Sequence, residues 1–234
     1  MNDKKNDVMT KSKNVLTMFV LAVLLSTTSY GQKILCIGDS NAARAHGWPS
    51  SLQEVMPDAI VVNKSISGNT IGFDNLGRES LNTLKNINRY LTETTGELAG
   101  SRPDIVIIGL GTNDCKAVYA GKHDVVVKNM NSLIDSIQDY YATGDNQPNI
   151  VLMTPPPMTS DSLLITKYKG GNGRIEKLVT SYRNIASEHS FGYIDLYDPL
   201  KEIFPYMTDD GVHLIPEAQI IVARYIKGYL NRKY

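Results

Sequence analysis

Ser40 follows the apolar run KILCI and the pair Gly38-Asp39, and His213 stands near the far end of the chain, just after Asp210-Gly211-Val212. A serine hydroxyl is a weak nucleophile unless a neighbouring base takes its proton, and an imidazole can do so. A carboxylate such as Asp210 on the other ring nitrogen would fix the tautomer. Acyl transfer also needs donors aimed at the oxygen on which charge develops. The N–H groups of Ser40 and Gly68 and the side-chain amide of Asn113 are candidates, Gly68 because a glycine lets backbone approach a ligand closely. Each cluster alone has a plainer reading. Gly-Asp-Ser is a common turn, Gly111-Thr112-Asn113-Asp114 can cap a helix, and a lone histidine is more often solvated or packed. Four such clusters in this order make the chemical reading the stronger one.

These residues need a frame that brings them together. Apolar runs at 33–37, 59–62, 104–110, 150–153 and 193–196 read as strands. Helical periodicity marks 48–56, 75–91, 124–141, 175–186 and 216–230. Strands that are apolar on both faces and alternate with helices form a parallel sheet covered on both sides. The expected fold is therefore α/β, a three-layer α/β/α sandwich. Its five-stranded parallel sheet is doubly wound, of the flavodoxin-like kind. In such a sheet ligands bind beyond the carboxyl ends of the strands, near the switch in strand order. The loops after the strands hold Ser40, Gly68 and Asn113, and the loop before the last helix holds Asp210 and His213. The stretch 158–173 is polar and Gly-rich near its end, and reads as a mobile loop.

The first residues form a separate unit. Lys4, Lys5, Lys11 and Lys13 precede an apolar run at 15–25, and Ser29-Tyr30-Gly31 follows as a small-x-small site. The run is much shorter than the ~20 apolar residues that span a bilayer. Residues 1–31 are expected to be a cleaved secretory signal, with an uncleaved N-terminal anchor as the alternative, leaving 32–234 as one catalytic domain, exported to the periplasm or the extracellular space, with no stable membrane insertion after cleavage. Formal net charge is zero, and no basic stripe with interleaved aromatics is present, which argues against a nucleic-acid partner. Cys36 and Cys115 are the only cysteines, too few for a disulfide framework. No signal of oligomeric state is legible.

The four blocks together resemble the SGNH hydrolases, also called the GDSL esterase/lipase family. The blocks are Gly38-Asp39-Ser40, the segment around Gly68, the segment around Asn113, and Asp210-Gly211-Val212-His213. The likeness runs from Ile34 to about Gln219 and is closest to the small single-domain bacterial members. It implies Ser40 as nucleophile, His213 as base, Asp210 as its orienting partner, and Ser40, Gly68 and Asn113 as oxyanion hole, with no metal and no cofactor. Two positions depart from the family pattern: Asn41 stands where many members carry leucine or isoleucine, and Leu214 where proline is frequent. Rival frames fit less well. An α/β-hydrolase elbow needs Gly-x-Ser-x-Gly, and Ala42 stands at the second glycine. A two-metal phosphoesterase built on Asp39, Asp114, Asp210 and His213 would need more histidines than the chain offers.

The expected activity is hydrolysis of carboxylic esters through an acyl-enzyme, on small-molecule or glycan esters. Export and a polar rim favour short acyl groups such as O-acetyl on carbohydrate. The alternatives are a thioesterase or lysophospholipase of longer acyl chains, and a non-catalytic carbohydrate-binding domain. Asn41, His46, Trp48, Phe73, Asp114 and Tyr168 are the expected substrate-binding residues, although large aromatics such as Trp48 and Phe73 more often pack in cores.

Overall fold

Residues 31–142 and 147–234 are described by the computed structural model. The expected leader therefore lies outside the described residues, Gly31 excepted. Five parallel strands form one sheet: β1 (Lys33–Gly38), β2 (Ile60–Asn63), β3 (Ile105–Gly109), β4 (Asn149–Met153) and β5 (Gly192–Ile194). Their order is β2-β1-β3-β4-β5. The α/β sandwich with a doubly wound parallel sheet is thus the observed fold.

Each strand divides its apolar residues between two cores. Leu35, Ile37, Val106, Ile108, Ile150 and Leu152 face one side, with Ile87, Met130 and Ile175. Ile34, Cys36, Ile105, Ile107, Val151 and Met153 face the other, with Leu52, Val222 and Ile226. The period-2 alternation of a strand thereby serves both layers. The first layer contains α3 (Thr83–Glu97), α4 (His123–Tyr140) and α5 (Gly171–His189); the second contains α2 (Trp48–Val55) and α7 (Pro216–Lys233). Short helices α1 (Ser40–Ala43) and α6 (Tyr197–Leu200) complete the set. Cys36 and Cys115 are buried and free, one in each core, with the sheet between them.

Two expectations are corrected. The helix read from position 75 begins at Thr83. Leu76 and Gly77 adopt φ of 56° and 72°, in the left-handed region where a right-handed helix cannot run. Asn82 then caps α3 by accepting from the N–H of Lys85. Leu76, which helped to make the helical pattern, is 74% exposed. The stretch 158–173 is pinned at several points and is not simply a loop. Met158, Leu164 and Tyr168 are buried, and Gly171–Gly173 already belong to α5. The Asn172 side chain bonds the backbone of Met158 and Thr159, supplying interactions that composition does not reveal.

Candidate active site

The chain enters the sheet at β1, adds β2 on one side, then crosses to β3 on the other. The loops after β1 and β3 therefore diverge and leave a crevice at the carboxyl edge. β1 ends at Gly38, where a Cβ would lie 2.7 Å from that of Ala42; only glycine permits so abrupt a turn from strand into α1. Asp39 caps this helix by accepting from the Asn41 N–H at 3.0 Å, and Ser40 becomes its first residue. The Ser40 N–H, like the first N–H groups of any helix, has no partner within it.

His213 arrives from the other end of the chain. Asp210 Oδ1 accepts from the N–H of Val212 at 3.0 Å and of His213 at 2.8 Å, closing a tight turn. Its Oδ2 lies 2.5 Å from His213 Nδ1. Nδ1 facing a carboxylate carries the proton, which leaves Nε2 as the acceptor. Nε2 is 2.8 Å from Ser40 Oγ. Burial alone would raise the Asp210 carboxyl, but the backbone N–H of His213, its ring and the N–H of Val212 outweigh it and hold the carboxyl down at about 2. A fixed anion on the far side of the ring is placed to stabilise an imidazolium, should the ring take a proton from Ser40.

Gly68 adopts φ of +93°, and its carbonyl accepts from Asn75 Nδ2 at 2.6 Å. Asn113 is held from two sides. Its Nδ2 donates to the Asn69 carbonyl at 2.9 Å, and its Oδ1 accepts from the Tyr168 hydroxyl at 3.3 Å. A carboxamide has two N–H groups, so one remains free. The site thus offers a serine–histidine–aspartate relay with amide donors on neighbouring loops, an arrangement able to perform acyl transfer.

Of the six residues expected to bind substrate, several are occupied otherwise. Asn41 is buried; its Oδ1 accepts from the Leu214 N–H at 2.9 Å and its Nδ2 donates to the Val212 carbonyl at 3.3 Å, which leaves its carbonyl and amide both engaged with the His213 loop. Trp48, at 2% exposure, belongs to the α2–α7 core beside Met153; its bulk favours burial. Asp114 is buried, and both its carboxyl oxygens accept from the Ile71 N–H. Tyr168 is buried with its hydroxyl on Asn113. Phe73 is half-buried and stacks on Tyr119, ring centroids 4.1 Å apart. His46 alone of the six is exposed. Sequence reasoning missed Asn75 and Lys116. Asn75 sits in a stretch read as helix, and Lys116 bonds it at 3.1 Å from 41 positions away, so no local signal marks either. Among the described residues no three His, Cys, Asp or Glu side chains are placed to hold a metal ion, and no helix is long and apolar enough to cross a membrane.

Comparison with known proteins gives a consistent picture. Residues 27–219 match the family described as GDSL-like Lipase/Acylhydrolase. A protein of Vibrio mimicus named arylesterase is 25% identical over 91% of this chain and 94% of its own. The fold is that of a carbohydrate acetylesterase family member from Sinorhizobium meliloti, with TM-score 0.69 and 24% identity over 86% of this chain and 98% of that one. It is also that of the aryl esterase of M. smegmatis, with TM-score 0.65 and 20% identity over 85% and 100% of the two chains.

Proposed function

The chain belongs to the GDSL-like lipase/acylhydrolase family and is an ester-hydrolysing enzyme; from that premise we propose that Ser40 is its nucleophile, His213 its general base and Asp210 the partner that orients the base. Ser40 Oγ adds to the ester carbonyl as its proton passes to His213 Nε2. The tetrahedral oxyanion is met by the N–H groups of Ser40 and Gly68 and the free N–H of Asn113. His213 then protonates the departing alcohol, leaving an acyl-enzyme. Water, deprotonated by the same nitrogen, adds to the acyl carbon and releases the acid and Ser40. The observation that carries this reading is the continuous relay from Ser40 through His213 to Asp210. A fluorophosphonate probe tests it: the label should map to Ser40 by peptide mass spectrometry and turnover should cease. Full turnover in unlabelled protein after exposure to the probe would refute it.

For the substrate, we infer short acyl groups such as O-acetyl on carbohydrate. Asn41, Asn113 and Tyr168 are polar and committed to one another or to the His213 loop, so the residues nearest the nucleophile offer little apolar surface to a long chain. A second reading draws on Leu163 and Ile165, exposed by 74% and 57%. They flank Leu164, which packs near Gly211 beside the base, and they make the rim less polar than expected. Longer acyl or aryl groups would find apolar surface there, and the V. mimicus relative is named for aryl esters. A chain-length series of p-nitrophenyl esters, run beside acetylated xylan, separates the two. Preference for octanoyl or longer esters would overturn the acetyl reading. We also propose export, supported by the lysines and apolar run ahead of Gln32; N-terminal sequencing of the cellular protein should begin at Gln32, and retention of Met1 would refute it.

A further inference from the structure

Lys116 occupies a place where lysines are rarely found. It is 6% exposed, and none of the ion pairs among the described residues includes it. Its ammonium donates to Asn75 Oδ1 at 3.1 Å and lies 5.7 Å from the centroid of the Tyr168 ring. Burial, and then the Lys167 ammonium nearby, draw its pKa below the usual lysine value. The Asp114 and Asp39 carboxyls nearby favour its charged form but do not outweigh these effects; removing an ammonium from water without a directly bonded counter-charge is costly, and groups held at such cost gather at functional sites.

Its two neighbours lead to two different donors. Asn75 holds the Gly68 carbonyl at 2.6 Å. A glycine at φ of +93° has wide conformational freedom, and anchoring its carbonyl restricts the backbone from which the Gly68 N–H projects. Tyr168 holds Oδ1 of Asn113 at 3.3 Å while Asn69 takes one amide hydrogen, which fixes the amide plane and aims the remaining N–H. The Lys116 backbone N–H also donates to the Asn113 carbonyl at 3.3 Å. One side chain therefore touches the support of each donor, and donors act only when already in place as charge develops.

We propose that Lys116 is a positioning residue for the oxyanion hole, holding the Gly68 N–H through Asn75 and the Asn113 amide through Tyr168 in register with each other. This rests on the reading of Gly68 and Asn113 as the oxyanion donors. Lys116→Met removes the charge at similar length. In the full chain, with p-nitrophenyl acetate, kcat should fall about 10-fold, a fraction of what loss of a whole donor costs, with KM held within about twofold. Binding of phenylboronic acid, whose adduct on serine mimics the tetrahedral state, should weaken by the same factor. In an Asn113→Ala background the same substitution should cost less than in the native chain, because one supported donor is gone. If kcat and boronate affinity stay within about twofold of the native values, whatever the melting temperature does, or if the loss is equally large in the Asn113→Ala background, the proposal is overturned. If Asn113→Ala is itself as active as the native enzyme, the oxyanion reading has failed instead. Should Lys116→Met not fold, Tyr168→Phe removes one oxygen and tests the Asn113 arm; native kcat and boronate affinity there would overturn it equally.

Discussion

Asn41 and Leu214 are joined side chain to backbone across 173 positions, the Leu214 N–H donating to Asn41 Oδ1 at 2.9 Å. With the bond from Asn41 Nδ2 to the Val212 carbonyl, the clamp grips the chain on both sides of His213, from the residue next to Ser40. The spacing of Ser40 and His213 is thus set by the backbone as well as by their own contact. Asn41→Leu would leave a buried N–H and a buried carbonyl without partners, at about 1–3 kcal/mol each. The melting temperature should fall, and kcat should drop by up to about 100-fold as the pair loses alignment, with KM little changed. Steady-state kinetics and thermal unfolding check this. A raised KM at native kcat would place Asn41 in substrate binding instead.

The proposed relay would act as a unit, so losses at its members should not add. Ser40→Ala and His213→Ala should each lower kcat by at least ~10⁴-fold, and the double variant should be no worse than either. Asp210→Asn should be less severe than these, with kcat still reduced by about 10³–10⁴-fold. Circular dichroism of each variant should match the native protein. Clearly additive losses would separate Ser40 from His213 mechanistically.

Stability should depend on pH through three carboxyls, two acting with one sign and one with the other. Burial pushes Asp114 up to about 7, against the bonds from Ile71, and nearby Asp39 adds to the rise. A folded-state value above the unfolded ~3.9 means that the folded chain binds the extra proton. Stability from this group is full below ~4 and is lost as pH rises toward about 7. Asp39 is raised by its own burial and acts with the same sign. Asp210, held down at about 2, contributes stability above ~4 that is lost as pH falls toward about 2. Asp114→Asn should therefore flatten, without abolishing, the loss of stability between about pH 4 and 7. Urea denaturation across that range measures it, and an unchanged slope would contradict the assignment.

Trp48 is buried in the α2–α7 core. Trp48→Ala should cost about 3–5 kcal/mol, and Trp48→Phe less. KM and kcat of Trp48→Phe should stay near native at a temperature where it is folded. A KM raised about 10-fold or more would place the indole in the substrate path.

Much of this molecule is written locally. The both-face apolarity of residues 33–37, 104–110 and 150–153 sufficed for a parallel sheet between two helical layers, because each strand must feed two cores at once. The clusters at Ser40, Gly68 and Asn113 were legible because loops after parallel strands share one edge. Asp210 and His213 are three residues apart, and that spacing already places carboxylate and ring within one turn. What the sequence could not carry is which side chains are spent on each other. Asn41, expected as a substrate contact, is also bonded to Val212 and Leu214. Tyr168, expected to bind substrate, also bonds Asn113 through its hydroxyl. The left-handed backbone at Leu76 displaced a helix start that apolar spacing favoured, and the bond from Lys116 to Asn75 spans 41 positions. Periodicity registers the faces that water avoids within one element. Hydrogen-bond partnership is settled between elements, where only the folded chain brings donor and acceptor within reach.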